Sequence, residues 1–452
     1  MNTAARRHAP APRLFALAWP LLMELLLGIG VGVAGTALAA RLSDTAGGAF
    51  AMAGHVVGML FILFRVVGAG VGVVVAQALG GGQREGADAL ARAAVGASTW
   101  VGGLTALLTA LLAWPLLKLL NAPPEVLPLA LPLLWWWAPT LLLDAWNASM
   151  AAVMRAHLRA RDLLAVMVVM HAVHLALAVP LMGWLGLPGF ALALLAARAL
   201  ALVLHLWLWR TRLRLSVRAH DWWHLPRAEL AAMAHIGLPG AAENIAYRLC
   251  FMVSVAVAGA LGAQAVATQA YALQIMYLVL LFGVAIGISM ETLVGHLVGA
   301  GRLRQAHRKV LRALALGLVV SVGVATAAAL AGPWVMRVFT QDTRIIAAAT
   351  VLLWWTVLLE PGRTFNLVVI NALRAAGDAR YPVVVGAFSM VIVLAGGSWL
   401  LGITFGLGLP GVWIAYAADE WLRGLLMWRR WATLAWVPHA RHSRRRMAAL
   451  GA

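Results

Sequence analysis

Long apolar runs alternate with short basic breaks along the whole chain. Splitting at charge clusters and Gly/Pro breaks gives twelve apolar segments, at about 14–40, 48–79, 93–118, 127–153, 163–185, 188–209, 235–260, 265–298, 311–332, 345–372, 382–404 and 408–428. Each is long enough to cross a hydrocarbon core of ~30 Å at ~1.5 Å per residue. Helices satisfy their own backbone groups in lipid, whereas barrel strands would be short and alternate in polarity. The pattern therefore predicts an all-α polytopic membrane protein with twelve transmembrane helices. The first span follows Arg6, Arg7 and Arg13, is far longer than a signal-peptide core and lacks a small-residue cleavage site, so it is expected to be retained.

Composition agrees: 63% of the 452 residues are hydrophobic and only 11% charged, against about 25% charged in a soluble domain. The net charge of +19 does not signal nucleic acid, because the basic residues gather in short loops. Alternate loops and the tails hold 26 of the 35 Lys+Arg, including the sets 155–161, 210–227, 302–312 and 429–446. The opposite loops hold four: Arg41, Lys118, Arg337 and Arg344. The positive-inside rule then places both termini in the cytoplasm. Lys118 and Lys309 are the sole lysines, a bias toward arginine that suggests GC-rich coding and a bacterial inner membrane. A single cysteine, Cys250, allows no internal disulfide.

The chain also repeats itself. An offset of 219 carries Pro20 and Glu24 onto Pro239 and Glu243, Gly80 onto Gly299, Trp135-Trp136 onto Trp354-Trp355, Asn147 onto Asn366, and Arg155 and Arg161 onto Arg374 and Arg380. Near the end it slips to 222, where Gly-Leu-Pro-Gly at 186–189 recurs at 408–411. The chain thus divides into a lobe over 1–210 (six helices), a basic linker over 211–234, a second six-helix lobe over 235–430 and a basic tail over 431–452. Six spans per half make the repeat parallel, the plan of transporters that carry substrate between two rocking halves.

Certain residues point further. The first half opens Trp19-Pro20 and closes its second span Val75-Ala76-Gln77-Ala78-Leu79-Gly80. The second opens Gly237-Leu238-Pro239-Gly240-Ala241-Ala242-Glu243-Asn244, closes its second span with Gly299-Ala300-Gly301-Arg302, and carries Leu373-Arg374-Ala375-Ala376-Gly377-Asp378 after span ten. Over about 14–430 this resembles the multidrug and toxic compound extrusion (MATE) family. The resemblance implies ion-coupled antiport of drugs and of cationic or amphipathic organics. One departure matters: many members carry an acid in span one where this chain has Gly35, followed by Thr36. Position 296, often Gln in the family, is His here, and its repeat mate is Gln77.

Charged groups in lipid cost at least ~2.5–3.5 kcal/mol and therefore face cavities or partners. Glu24, Asp144, Glu243, Glu291, Glu360, Asp419 and Glu420 lie in or at the ends of spans, where they are natural ligands for a proton or cation. Glu24 and Glu243 each follow a helix proline by four residues, and Asn244 and Tyr247 could add oxygen ligands. Either Glu could equally be a packing contact, and Arg248 could cancel the charge of Glu243. Glu360-Pro361-Gly362-Arg363 puts an acid and a base on one face across an expected kink, as a fixed ion pair or as a proton switch. Asp144 maps onto Arg363, so the two lobes carry opposite charge there. Asp419, Glu420 and Arg423 read as a local ion pair near a helix end. Arg65 and Arg198 are expected to pair within their own half, with Asp144 as one partner. His171 and His174 share a face but lack further metal ligands, and read chiefly as buried hydrogen-bonded side chains. The tryptophan runs suit lipid contact or packing better than a cavity. Gln269, Tyr271, Gln274, Met276 and Tyr277 in span eight are the candidates for a substrate cavity, with Asp144.

No G-x-S-x-G, Walker A or H-E-x-x-H motif is present, so an ion gradient is the expected energy source. The expectation is a monomeric antiporter in the lipid bilayer, exchanging small organic compounds for H+ or Na+. No metal, cofactor or nucleic acid is expected. A flippase for an amphipathic lipid-linked substrate is the first alternative, and a membrane-embedded enzyme the second. Protons are favoured over sodium because Arg248 and Arg363 lie near the two acids.

Overall fold

The computed structural model describes residues 14–60 and 62–450. The described residues form helices and turns only. In chain order they are α1 (Leu14–Leu42), α2 (Asp44–Leu60), α3 (Ile62–Gly80), α4 (Arg84–Leu119), α5 (Leu127–Ala156), α6 (Ala160–Leu185) and α7 (Leu187–Leu208) in the first lobe. The second lobe holds α8 (Arg227–Ala260), α9 (Ala263–Gly299), α10 (Leu303–Met336), α11 (Thr343–Ala375), α12 (Arg380–Thr404) and α13 (Gly408–Ala432). A tail helix, α14 (Val437–Leu450), follows. Ten of these are long and apolar enough to cross a membrane. The α2–α3 pair and α13 complete twelve crossings; α13 is less apolar because it carries Asp419, Glu420 and Arg423.

The helices α4, α8 and α10 begin eight or nine residues before the expected apolar segments. Their opening turns, such as Arg84-Glu85 and Arg227-Ala228-Glu229, carry charges that end the apolar pattern but not the helix. In α12 the helix widens into π-type turns at Met390–Gly396 and Leu400–Thr404. Such turns accommodate inserted residues, and they fall in the stretch where the repeat offset slips from 219 to 222.

Glycines and two polar side chains set how the lobes meet. A Cβ on Gly80 would lie 2.1 Å from the His296 carbonyl oxygen, and one on Gly299 would lie 1.9 Å from that of Gln77. No side chain fits at either contact, so the backbones of α3 and α9 touch. Beside them Gln77 Nε2 donates to the Ala375 carbonyl at 2.7 Å, and His296 Nε2 lies 2.7 Å from the Ala156 carbonyl. Residues 77 and 156 map onto 296 and 375 by the offset of 219, so the two bonds are two-fold mates. All these contacts lie at the basic ends of the helices, and that face is closed.

The tail helix seals the same face. Ser443 Oγ donates to Gln77 Oε1 at 2.7 Å. Met447 is buried in a core that joins α3–α7 to the start of α8, with Leu213 and Met233, whereas Trp436 and Ala440 belong to the second-lobe core with Leu297 and Val310. The linker packs on α4 and α5: Arg84 Nη2 on α4 donates to the Leu213 carbonyl at 2.8 Å, and Trp222 meets Trp146 on α5 at 4.8 Å.

Candidate functional site

The Glu24 and Glu243 positions are symmetric ion pairs. Arg155, in the last turn of α5, reaches Glu24 on α1 at 3.3 Å. Arg374, in the last turn of α11, donates to Glu243 on α8. The partner of Glu243 is thus Arg374 and not the neighbouring Arg248, which is exposed. The sequence held the signal, because Arg155 and Arg374 obey the same offset as the two acids. Asn244 turns its amide inward to the Gly240 carbonyl at 2.8 Å.

The charge-reversed positions also form mated pairs. In the first lobe Arg198 on α7 meets Asp144 on α5 at 2.8 Å. In the second, Arg363 on α11 meets Glu420 on α13 at 3.2 Å. Asp144 maps onto Arg363 by 219, and Arg198 onto Glu420 by 222, so one ancestral contact survives in both lobes with its signs exchanged. The asparagines beside it are mates too: Asn147 Nδ2 donates to the Arg198 carbonyl at 3.0 Å, and Asn366 Nδ2 to Glu420 Oε2 at 2.9 Å.

The second lobe then adds three charges. Glu360 accepts from Arg363 Nη1 at 2.7 Å. Arg423 lies 2.7 Å from Asp419 and 3.0 Å from Glu420. The corresponding first-lobe residues are Leu141, Ala197 and Ala201, all buried and apolar. Asp419, Glu420 and Arg423 are therefore not a local pair at a helix end but part of one network with Glu360 and Arg363. All five residues are buried, none above 4% exposed. Ser389 Oγ donates to Asp419 at 2.7 Å, and the Arg423 guanidinium sits 5.9 Å from the Tyr247 ring. Three carboxylates share two guanidiniums, so the fully ionised network carries one excess negative charge. The Asp144–Arg198 pair is balanced.

Gly362, between Glu360 and Arg363, allows a close approach: a Cβ there would lie 2.7 Å from the Trp421 ring. This brings α13, and hence Glu420, onto α11.

Where the family's span-one acid would stand, two aromatic rings crowd the position. A Cβ on Gly35 would lie 3.0 Å from both the Phe190 and Phe50 rings. Those rings meet at 4.8 Å, and Trp137 and His174 stand 5.7 and 4.7 Å from Phe190. The expected hydrogen bonds to His174 are absent: neither ring nitrogen has a partner among the described residues. His205 does have one, Asn147 Oδ1 at 2.9 Å. No group of three or more potential metal ligands occurs among the described residues. The side chain of Arg65 lies outside them.

The cavity candidates divide. Met276 is fully buried core beside Leu352 and Cys250. Gln269 is buried and donates to the Tyr416 hydroxyl at 3.4 Å, and that hydroxyl also bonds Ser254. Tyr271 stacks on Phe339 at 5.4 Å. Asp144 is taken up by Arg198. Met276 and Gln269 are internal because neighbouring helices cover that face of α9, Asp144 is buried on α5, and Tyr271 is half-buried. Gln274 and Tyr277, three apart on α9, remain exposed. Trp135, Trp136 and Trp354 are about half exposed, while Trp137 belongs to the aromatic cluster.

The MatE family model matches residues 20–179 and 239–399, one copy in each lobe. The chain belongs to the MATE family. It is 30% identical over 443 residues to the uncharacterized transporter YisQ of Bacillus subtilis, covering 96% of this chain and 97% of YisQ. It is 27% identical over 437 residues to a probable multidrug resistance protein NorM of Rhodopseudomonas palustris, covering 91% and 90% of the two chains. The fold is that of MATE in the bent conformation, with a TM-score of 0.86 at 18% identity over 95% of this chain and 96% of that one. This MATE protein is a membrane-spanning transporter and not an enzyme.

Proposed function

We propose that this MATE protein is a secondary antiporter of the bacterial inner membrane that exports amphipathic organic compounds in exchange for protons, with coupling in the second lobe. The charge count carries this reading. Binding one proton neutralises the Glu360–Arg363–Glu420–Arg423–Asp419 network, and losing it restores a buried excess charge, which is costly unless the surroundings rearrange. A change of conformation tied to that proton is what an antiporter needs. Sodium fits less well, because each carboxylate already meets a guanidinium that would repel a second cation. The pairs Glu24–Arg155 and Glu243–Arg374 would hold their helices together beside this centre.

An exposed arginine within a span supports the amphipathic class over the cationic one. Arg248 is exposed in the middle of α8, within electrostatic reach of Tyr277 on α9. An arginine at that depth belongs in water and not in lipid. The span acids Glu24, Asp144, Glu243, Glu360, Asp419 and Glu420 each have an arginine partner, so none of them is free to attract a cation.

Inverted vesicles test the reading. A labelled amphipathic compound should accumulate under an imposed pH gradient and not under a sodium gradient. A lipid-linked probe that crosses leaflets while small solutes stay put would make the protein a flippase. Orientation is tested by cysteine labelling: positions 338–343 should react from outside and 212–224 from inside. The reverse pattern would invert the topology, which rests on the arginine bias; Arg6, Arg7 and Arg13 contribute to it from outside the described residues.

A further inference from the structure

The basic face carries a second built feature that the transport cycle does not use. The first turn of α10 and the tail helix α14 enclose a groove of about 890 Å³. Arg302, Arg304, Arg308, Arg441 and Arg444 line it, and no carboxylate does. None of these five has a carboxylate partner among the described ion pairs. The repeat makes this unusual: the equivalent turn of the first lobe mixes Arg84 and Arg92 with Glu85 and Asp88. Arg444 is placed over the turn by Gly301, whose Cβ would fall 2.6 Å from its guanidinium. The amide end of the 34-residue helix α10 is uncapped by any side chain and opens on the same space. It adds to the positive field.

The opposite wall is apolar. Leu303, Leu434, Trp436 and Val437 line it. Trp431 stacks on Trp436 with ring centroids 4.2 Å apart, just behind that wall. Both indoles are fully buried and back the wall from the second-lobe core, while Leu434 is exposed along it. An arginine-rich half and an apolar half match a phosphate head group joined to an acyl chain.

We propose that this groove binds an anionic phospholipid, its phosphate on the arginines and its chains along the apolar wall of Leu303, Leu434 and Val437. The ligand would join α10 to the tail helix that bridges the two lobes.

The full-length protein, purified in a neutral detergent, provides the test by native mass spectrometry and thermal unfolding. Phosphatidylglycerol should be retained and should raise Tm, and phosphatidylcholine should do neither. The Arg302→Gln, Arg304→Gln, Arg308→Gln triple variant and the Arg441→Gln, Arg444→Gln pair should each weaken retention at least about tenfold. The same triple set changed to Lys keeps the charge and should hold the lipid, which separates a lost site from a lost fold. Arg212→Gln with Arg214→Gln, on the same face outside the groove, should leave retention unchanged. Equal loss in that control would reduce the effect to general surface charge and overturn the proposal. Full competition by inorganic phosphate at the lipid's own concentration would overturn it in favour of a small-anion site.

Discussion

Glu360→Gln is expected to lower proton-driven transport at least tenfold while substrate binding stays measurable; a conformational bias of about 1.4 kcal/mol already suffices for that factor. Gln keeps the shape of the side chain and can still accept from Arg363, but it neither ionises nor exchanges a proton. The network then holds two carboxylates and two guanidiniums in every state, the charge of the protonated form. A carrier fixed at that charge remains in the conformation the proton favours. Stability should move the other way from an ordinary broken ion pair, because Arg363 keeps Glu420 at 3.2 Å. Glu360→Gln is therefore expected to leave thermal unfolding unchanged or raise Tm slightly. Asp144→Asn in the first lobe provides the contrast. It strands Arg198, whose only acidic partner among the described pairs is Asp144. Removing one member of a buried pair costs about 3–5 kcal/mol, and the lower end applies here because the Arg198 side chain is 21% exposed. A drop in Tm for Asp144→Asn without one for Glu360→Gln would match the charge count. Equal drops would show both to be structural pairs, and full gradient-driven activity in Glu360→Gln would move coupling elsewhere.

The same comparison shows where the sequence was informative. The spans were legible because apolar runs and basic breaks report the bilayer directly. The repeat was legible because residues such as Asn147 and Asn366 keep their places on the shared offset. It also contained the pairing of Glu243 with Arg374, since both ends of the mated pair Glu24–Arg155 lie on that offset. Arg248 was the nearer partner in sequence, but helix geometry points it away. The join between Glu360–Arg363 and Asp419–Glu420–Arg423 was not legible, because it depends on α11 lying against α13 through Gly362 and Trp421. Nor could the sequence show that Phe50 and Phe190 fill the space beside Gly35. It located a missing acid, and the packing shows aromatic rings crowding that position. Met276 and Gln269 were misplaced for a related reason: polarity along α9 does not reveal which of its faces is covered by neighbouring helices.

Gly299→Val is expected to open the basic face and to slow transport as strongly as the loss of the proton site. A Cβ at that position would lie 1.9 Å from the Gln77 carbonyl oxygen. Carbon and oxygen repel steeply below about 3 Å, so α3 and α9 must part by roughly 1 Å or more. The neighbouring bonds, Gln77 to Ala375 and His296 to Ala156, cross the same seam, and the Ser443 contact of the tail helix rests on Gln77. All of them depend on the same seam, so the closed face should be lost as a unit. Spin labels on Arg212 and Gln305, both exposed on that face, would report it as a shift toward longer distances. Gly80→Val meets the His296 carbonyl at 2.1 Å and should produce the same shift, because the two contacts are two-fold mates. A valine at Gly28, which has nothing within 4 Å of its Cβ position, should leave the distances alone. If Gly299→Val and Gly80→Val both kept the wild-type distances, the glycine seam would be a place where the lobes happen to touch and not the contact that holds this face shut.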